Sequence, residues 1–82
     1  MNKQESANYQ ATEHLISLEK NLEERYRYTE VNKQIIEAIA DAGGYLAVEH
    51  LLGLELNIPE RFKNTEIHRV LIRAIGRAGR IS

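Results

Sequence analysis

Residues 24–43 read ERYRYTEVNKQIIEAIADAG, and residues 60–79 read ERFKNTEIHRVLIRAIGRAG. The second stretch repeats the first at an offset of 36 residues, and the match extends without a gap over 9–44 and 45–80, here called the first unit and the second unit. Seventeen of the 36 aligned pairs are identical. Self-similarity of this kind indicates a tandem duplication, so we expect one local structure to be used twice.

The apolar residues of each unit are spaced for helices. In the first half of a unit they recur at i, i+4, i+7 and i+11, as in Ala11, Leu15, Leu18 and Leu22. We predict an all-α fold of four short helices, arranged as two tandem, pseudo-symmetric α-hairpins, over 10–23, 29–42, 45–57 and 65–78. One hairpin cannot cover its own apolar stripe, so the two cover each other, related by an approximate two-fold axis or by a solenoid-like step.

Residues typical of helix ends support these boundaries. Thr29 and Thr65 are predicted to cap the second helix of each unit, because a threonine oxygen accepts the free N–H groups of a first turn. Gly43 and Gly79 are predicted to end those helices in the left-handed conformation that glycine adopts freely. Pro59 is predicted to interrupt the chain between the third and fourth helices.

The bulk composition is that of one small globular domain. The chain has 82 residues, 43% of them hydrophobic and 28% charged, and it has no cysteine, which excludes disulfides and thiolate metal sites. We predict a flexible N-terminal segment, 1–8, followed by a single helical domain, 9–82. No apolar run is long enough for a membrane span or a signal peptide, so we expect a cytoplasmic protein without membrane contact.

Positive charge is concentrated at the C-terminal end of the chain. The net charge is −1, yet residues 61–82 contain six basic residues and one acidic residue. A basic cluster of this kind is suited to bind an acidic protein or nucleic-acid phosphates. The candidate surface for such a partner consists of Arg61, Lys63, Arg69, Arg73, Arg77 and Arg80.

Two positions change sign between the units. Glu37 and Asp41 of the first unit correspond to Arg73 and Arg77 of the second. If the helices that carry them face each other, these residues form a charge-pairing edge that favours contact between unlike units. Exposed pairs contribute only about 0–1 kcal/mol each. Burial must therefore supply most of the stability, and the arginines have two alternative roles, pairing inside the molecule or binding a partner.

The sequence offers no arrangement suited to catalysis or metal binding. The repeated pairs Glu13-His14 and Glu49-His50 are adjacent in their helices, where neighbouring side chains point about 100° apart and cannot chelate together. Carboxylate sites in helical bundles use Glu and His three residues apart instead. No serine lies in a glycine-rich elbow of the kind that hydrolases use. We predict a protein that is not an enzyme and has no cofactor and no metal.

The second unit resembles bacterial helix-turn-helix domains in the order of Ala47, Gly53, Thr65 and Arg69. The intervening ELNIPERFK is longer than the tight turn that joins the two helices of such a motif. The resemblance implies DNA binding as an alternative function and identifies no family.

The favoured hypothesis from the sequence is a small regulatory or interaction protein. It would present helical faces to a protein partner and self-associate, for example as a homodimer. Small apolar residues at close-packing positions favour it, namely Ala38, Ala42, Ala74 and Ala78. The alternative is a nucleic-acid-binding regulator that uses the basic C-terminal helix.

Overall fold

A computed structural model describes residues 3–80, with side chains from Ala7 onward. These residues form four α-helices and no strand, so the predicted all-α fold is confirmed. The helices are α1 (Lys3–Lys20), α2 (Glu30–Ala42), α3 (Gly44–Leu56) and α4 (Glu66–Arg80). Two short 3-10 turns, Glu24–Tyr26 and Glu60–Phe62, precede α2 and α4.

The helix boundaries follow the sequence prediction in three helices and depart from it in the first. α2, α3 and α4 each begin within one residue of the predicted start. α1 begins at Lys3 instead of residue 10 and ends at Lys20 instead of residue 23. Residues 3–8 of the predicted flexible segment therefore belong to α1, because lysine, glutamine and glutamate continue a helix without an apolar stripe. Residues 1–2 and 81–82 lie outside the described residues.

The hydrophobic core lies between α2, α3 and α4. Its buried members are Ile36, Ile39, Ala40, Ala47, Leu51, Ile58, Ile67, Val70, Leu71, Ala74 and Ala78. α1 contributes the half-buried Leu15 and Ile16, while Ala11 and Leu18 of its predicted apolar stripe are exposed. Only part of the α1 stripe is therefore used for packing.

The two threonines do not act as the predicted caps. Thr29 and Thr65 immediately precede α2 and α4, but their hydroxyls donate to the carbonyl oxygens of Tyr26 and Phe62. The Thr29 side chain makes no cap hydrogen bond to α2. Threonine capping of α2 is therefore wrong, because the Thr29 hydroxyl hydrogen-bonds to the preceding 3-10 turn instead of to the first N–H groups of α2.

The residue three positions into each of these helices stabilises the preceding loop. The Asn32 side-chain oxygen accepts the backbone N–H of Tyr28 at 2.7 Å, and His68 Nδ1 accepts the N–H of Asn64 at 2.8 Å. Tyr28 and Asn64 both have a φ of 66°, a left-handed conformation that is rare for a bulky residue such as tyrosine. By accepting this N–H group, the side chain of Asn32 or His68 stabilises the left-handed residue that precedes its helix.

The two glycines predicted to end helices behave differently. Gly43 ends α2 with a φ of 68°, which glycine adopts freely, and its N–H donates to the carbonyl of Ile39 at 3.0 Å. Its ψ of −173° lies outside the predicted left-handed helical region. Gly79 was predicted to do the same, but α4 continues through it to Arg80. The difference is that the chain must reverse direction after α2 to form α3, whereas α4 makes no such reversal within residues 66–80.

The two units bury different faces of equivalent helices. Ile36 of α2 is 2% exposed, whereas Ile72 at the equivalent position of α4 is 53% exposed. The reverse holds for Val31 and Ile67, which are 41% and 4% exposed. A two-fold axis would bury equivalent residues equally. The unequal burial therefore favours the solenoid-like step, in which the downstream face of one unit covers the upstream face of the next.

A polar contact between the units fits the same step. His50 Nε2 of the second unit lies 2.9 Å from Glu19 Oε1 of the first. A two-fold axis would add the reciprocal contact between His14 and Glu55. Glu55 instead contacts His68 at 2.9 Å, and His14 is exposed. The junction is therefore used in one direction only.

The unequal burial predicts unequal responses to the same substitution. Ile36→Ala should lower the free energy of unfolding by about 2–5 kcal/mol, because it leaves a cavity in the core. Ile72→Ala should lower it by less than about 1 kcal/mol, because that side chain is half exposed. Urea denaturation at concentrations where the chain is monomeric measures both. Equal losses would contradict the step and support a two-fold arrangement.

Candidate interaction surfaces

A buried carboxylate joins the two units behind the candidate surfaces. The Glu19 side chain is 3% exposed and accepts hydrogen bonds from Arg27, from His50 at 2.9 Å and from Asn32 at 3.5 Å. Arg27 also donates to the carbonyl oxygens of Glu19 and Lys20 at the end of α1. The cluster thus connects α1, the loop after it, α2 and α3.

The surroundings of Glu19 favour its ionised form. Burial alone would raise the pKa of this carboxyl. The hydrogen bond from His50, the positive charge of Arg27 and the remaining contacts outweigh burial and hold the pKa of Glu19 below its ordinary value of 4.5. No buried side-chain nitrogen or oxygen in the described part of the chain lacks a hydrogen-bond partner. The cluster is therefore a satisfied structural junction.

The equivalent cluster of the second unit is more open. Glu55, which corresponds to Glu19, is partly exposed and contacts His68. Lys63, which corresponds to Arg27, contacts Glu60 at 3.4 Å instead of Glu55. Glu55 therefore keeps capacity to accept a further hydrogen bond from outside the unit.

An apolar groove lies open on the first unit. It has a volume of about 480 Å³ and runs between the end of α1, the first 3-10 turn and the start of α2. Leu18 is 44% exposed, and Tyr26 and Val31 are each 41% exposed. We call it the upstream groove, and its lining residues are Ser17, Leu18, Asn21, Leu22, Glu23, Tyr26 and Val31.

The same groove in the second unit is covered. The counterparts of its apolar residues are Leu54, Ile58, Phe62 and Ile67, and all four are buried or packed against the core. Tyr28 of the first unit lies on Phe62 with ring centroids 4.2 Å apart. The first unit thus covers the groove of the second unit. No part of the described chain covers the upstream groove in the same way.

The exposed side of α4 forms the second candidate surface. Arg69, Ile72, Arg73, Gly76 and Arg80 follow one another at helical spacing, and all five are exposed. We call this set the arginine face. It combines positive charge with one large exposed apolar side chain.

One of the two sign-inverted pairs is in contact. Arg77 Nη1 lies 3.0 Å from Asp41 Oδ1, and both side chains are exposed. Glu37 and Arg73 make no ion pair with any residue among 7–80. The structure therefore brings together half of the predicted charge-pairing edge.

The other basic residues of the candidate surface have local contacts near the second 3-10 turn. The Arg61 guanidinium lies 4.9 Å from the centre of the Phe62 ring. Lys63 contacts Glu60, and Arg69 Nη1 donates to a backbone carbonyl of the same loop at 3.3 Å. These contacts orient the side chains while leaving their charges exposed.

The upstream groove contains apolar residues that the sequence pattern places in the core. These residues are Leu18, Leu22, Tyr26 and Val31. Their counterparts in the second unit are similar and buried, so composition gives no sign of the difference. The sequence feature that could indicate this difference is the duplication. Two units related by a step leave one outer face of each unit exposed.

Comparisons with known proteins leave the function to be argued from these surfaces. No protein family, curated protein or solved structure matches the chain. Within the described residues, no group of three or more His, Asp or Glu side chains is placed to hold a metal ion. None of the described helices combines the length and apolarity needed to cross a membrane.

The depressed pKa of Glu19 predicts acid sensitivity. Because the folded state favours the ionised carboxylate, Glu19 contributes stability above its unfolded pKa, and this contribution is lost as the pH falls through the lower folded pKa. Glu19→Gln should reduce the free energy of unfolding at pH 7 by about 1–3 kcal/mol. It should also flatten the loss of stability below about pH 5.

Urea denaturation between neutral and acidic pH checks this effect. Glu55→Gln is the matched control, because it removes the equivalent but partly exposed carboxylate and should cost less. An unchanged acid dependence in Glu19→Gln would contradict the assignment.

Proposed function

We propose that the protein is a small, non-enzymatic interaction protein that acts on a protein partner through its helical surfaces and that it self-associates. The observation that carries the proposal is the upstream groove. Several large apolar side chains are exposed together there, and polar residues surround them. Contiguous apolar patches with a polar rim are typical of protein docking sites, whereas single exposed apolar residues are not.

The local structure supports a preformed groove. Asn21 Nδ2 donates to the carbonyl of Ser17 at 2.9 Å and closes the last turn of α1. Arg27 and Asn32 bind Glu19 and so fix the loop and the start of α2 relative to α1. A groove held by such contacts loses little conformational entropy when a partner binds, which favours affinity.

The second unit supports a helical partner. The equivalent apolar residues there are covered by part of the first unit, which is itself a helical hairpin. The shape of this surface is therefore suited to another helical element. An interaction protein built in this way needs no cofactor.

Substitution in the groove tests the proposal. Leu18→Glu should weaken self-association by about 10- to 100-fold, because a large apolar contact is replaced by a charge. The molar mass from light scattering, measured over a wide concentration range, reports this change. Wild-type protein that stays monomeric at every concentration, and that captures the same proteins as Leu18→Glu from a cell extract, would contradict the proposal.

A second candidate function is nucleic-acid binding through the arginine face. The observation that favours it is the exposure of Arg69, Arg73 and Arg80 along one side of α4. Among the described residues, Arg73 and Arg80 have no carboxylate partner. Exposed arginines at this spacing are suited to contact successive phosphates.

A double charge reversal tests the second candidate. If α4 binds nucleic acid, Arg73→Glu with Arg77→Glu should abolish binding of a labelled duplex at low salt, measured by fluorescence anisotropy. Wild-type affinity should fall steeply as salt rises, because phosphate contacts release counterions. Lys20→Glu with Arg25→Glu changes the net charge equally and should retain binding. Absence of wild-type binding at low salt would remove this candidate.

The same double reversal separates nucleic-acid binding from pairing within the protein. If the arginines serve pairing, the reversal should disturb folding or assembly even without nucleic acid. Adding Glu37→Arg with Asp41→Arg should then restore part of the loss, because opposite charges again face each other. Restoration is not expected for nucleic-acid binding.

A further inference from the structure

We infer that the upstream groove is occupied by a second copy of this chain, arranged head to tail, so that the α4 side of one chain covers the groove of the next. The contact would repeat between chains the step that joins the two units within one chain. This inference rests on the proposed self-association and names its partner and geometry.

Both free faces match faces that are buried inside the molecule. Ile72 and Gly76 of the arginine face correspond to Ile36 and Ala40, which are buried between the units. The upstream groove likewise corresponds to the covered groove of the second unit. The step between the two units leaves the upstream groove and the arginine face uncovered. A further step, between two chains, covers both of them.

The contact between Tyr28 and Phe62 has a counterpart in the repeated step. Tyr28 lies on Phe62 between the units. Shifting both positions by the repeat offset of 36 residues places Asn64 of one chain against Tyr26 of the next. Asn64 has the same φ of 66° as Tyr28, so the loop that follows the 3-10 turn has the same backbone conformation at this residue in both units.

Charged contacts keep their complementarity under the same shift. Lys33 Nζ of the first unit lies 3.3 Å from Glu66 Oε1 of the second. The shifted pair is Arg69 of one chain and Glu30 of the next, again a base with an acid. Both residues are exposed in the single chain.

The buried carboxylate contact is preserved as well. Glu19 accepts a hydrogen bond from His50 across the junction. The shifted pair is Glu55 of one chain and His14 of the next, and the residue types are the same. His14 is exposed and Glu55 is partly exposed, so both are accessible to a second chain.

The sign-inverted edge also follows the shift. Asp41 contacts Arg77 within the chain, and the shift places Arg77 of one chain near Asp41 of the next. The inverted charges therefore suit a contact between unlike units both inside the chain and between chains.

The charge of each unit disfavours the alternative two-fold dimer. The first unit has seven acidic and four basic residues, and the second has four acidic and six basic. A two-fold contact through the upstream groove would oppose two acidic first units, with the groove residue Glu23 of both chains at the contact. A head-to-tail contact opposes an acidic unit and a basic unit instead.

Two variants that each block one face test the geometry. Leu18→Glu blocks the groove, and Ile72→Glu blocks the α4 side. Either variant alone should associate about 10- to 100-fold more weakly than wild type, because every contact between its chains includes a blocked face. Mixed in equal amounts, the two variants should form a dimer with one chain of each, because one open groove meets one open α4 side. Glutamate at both sites prevents the blocked faces from attracting each other.

Sedimentation velocity measures these species, and circular dichroism confirms that each variant is folded. Wild-type protein should grow beyond a dimer as concentration rises or close into a ring, since both of its faces are free. Leu56→Lys is the matched control. Leu56 is exposed and lies outside both faces, and lysine stands at the equivalent position of the first unit, so this variant should assemble like wild type.

Two results would overturn the inference, and they differ in what they mean for the proposed function. Wild-type-like assembly of Ile72→Glu alone would show a groove that pairs with itself, so the head-to-tail geometry fails while self-association stands. A wild-type protein and a variant mixture that both remain monomeric would overturn the inference together with self-association. Binding of another protein to the groove would then be the surviving part of the proposed function.

Discussion

The packing of α2 against α4 is the contact on which the rest of the structure depends. It buries Ile36 on one side and Ile67 on the other, and these residues are not equivalent in the repeat. Glu19 reinforces the junction, because its carboxylate accepts hydrogen bonds from both units and would be costly to leave unpaired. A small domain has few such contacts, so one junction decides which faces stay exposed.

The sequence predicts α2, α3 and α4 to within two residues because each has clear apolar spacing or a glycine stop. It does not predict the start of α1, since Lys3 to Gln10 form a helix through propensity without an apolar stripe. Thr29 has the sequence position of a helix cap. Its hydroxyl reaches the competing carbonyl of Tyr26 only once the 3-10 turn has formed. Local pattern thus sets the helices, while contacts made after folding set their ends.

The candidate surfaces illustrate a different limit. The sequence predicts the basic side of α4, because burying a charged side chain is unfavourable. The arginines of α4 are indeed exposed. The upstream groove is not visible, because Val31 and Ile67 are alike in sequence and differ only in what covers them. Duplication supplies two equivalent apolar faces, and a directional junction leaves one of them open. The inverted charges at Asp41 and Arg77 add an exposed ion pair between the two units.

A step joins the two units, so equivalent residues differ in exposure. The most direct measurement is the broadening of isoleucine methyl signals by a soluble paramagnetic agent, in NMR spectra of dilute monomeric protein. The step predicts strong broadening for Ile72 and little for Ile36. Similar broadening of the two signals would indicate equivalent units and contradict it.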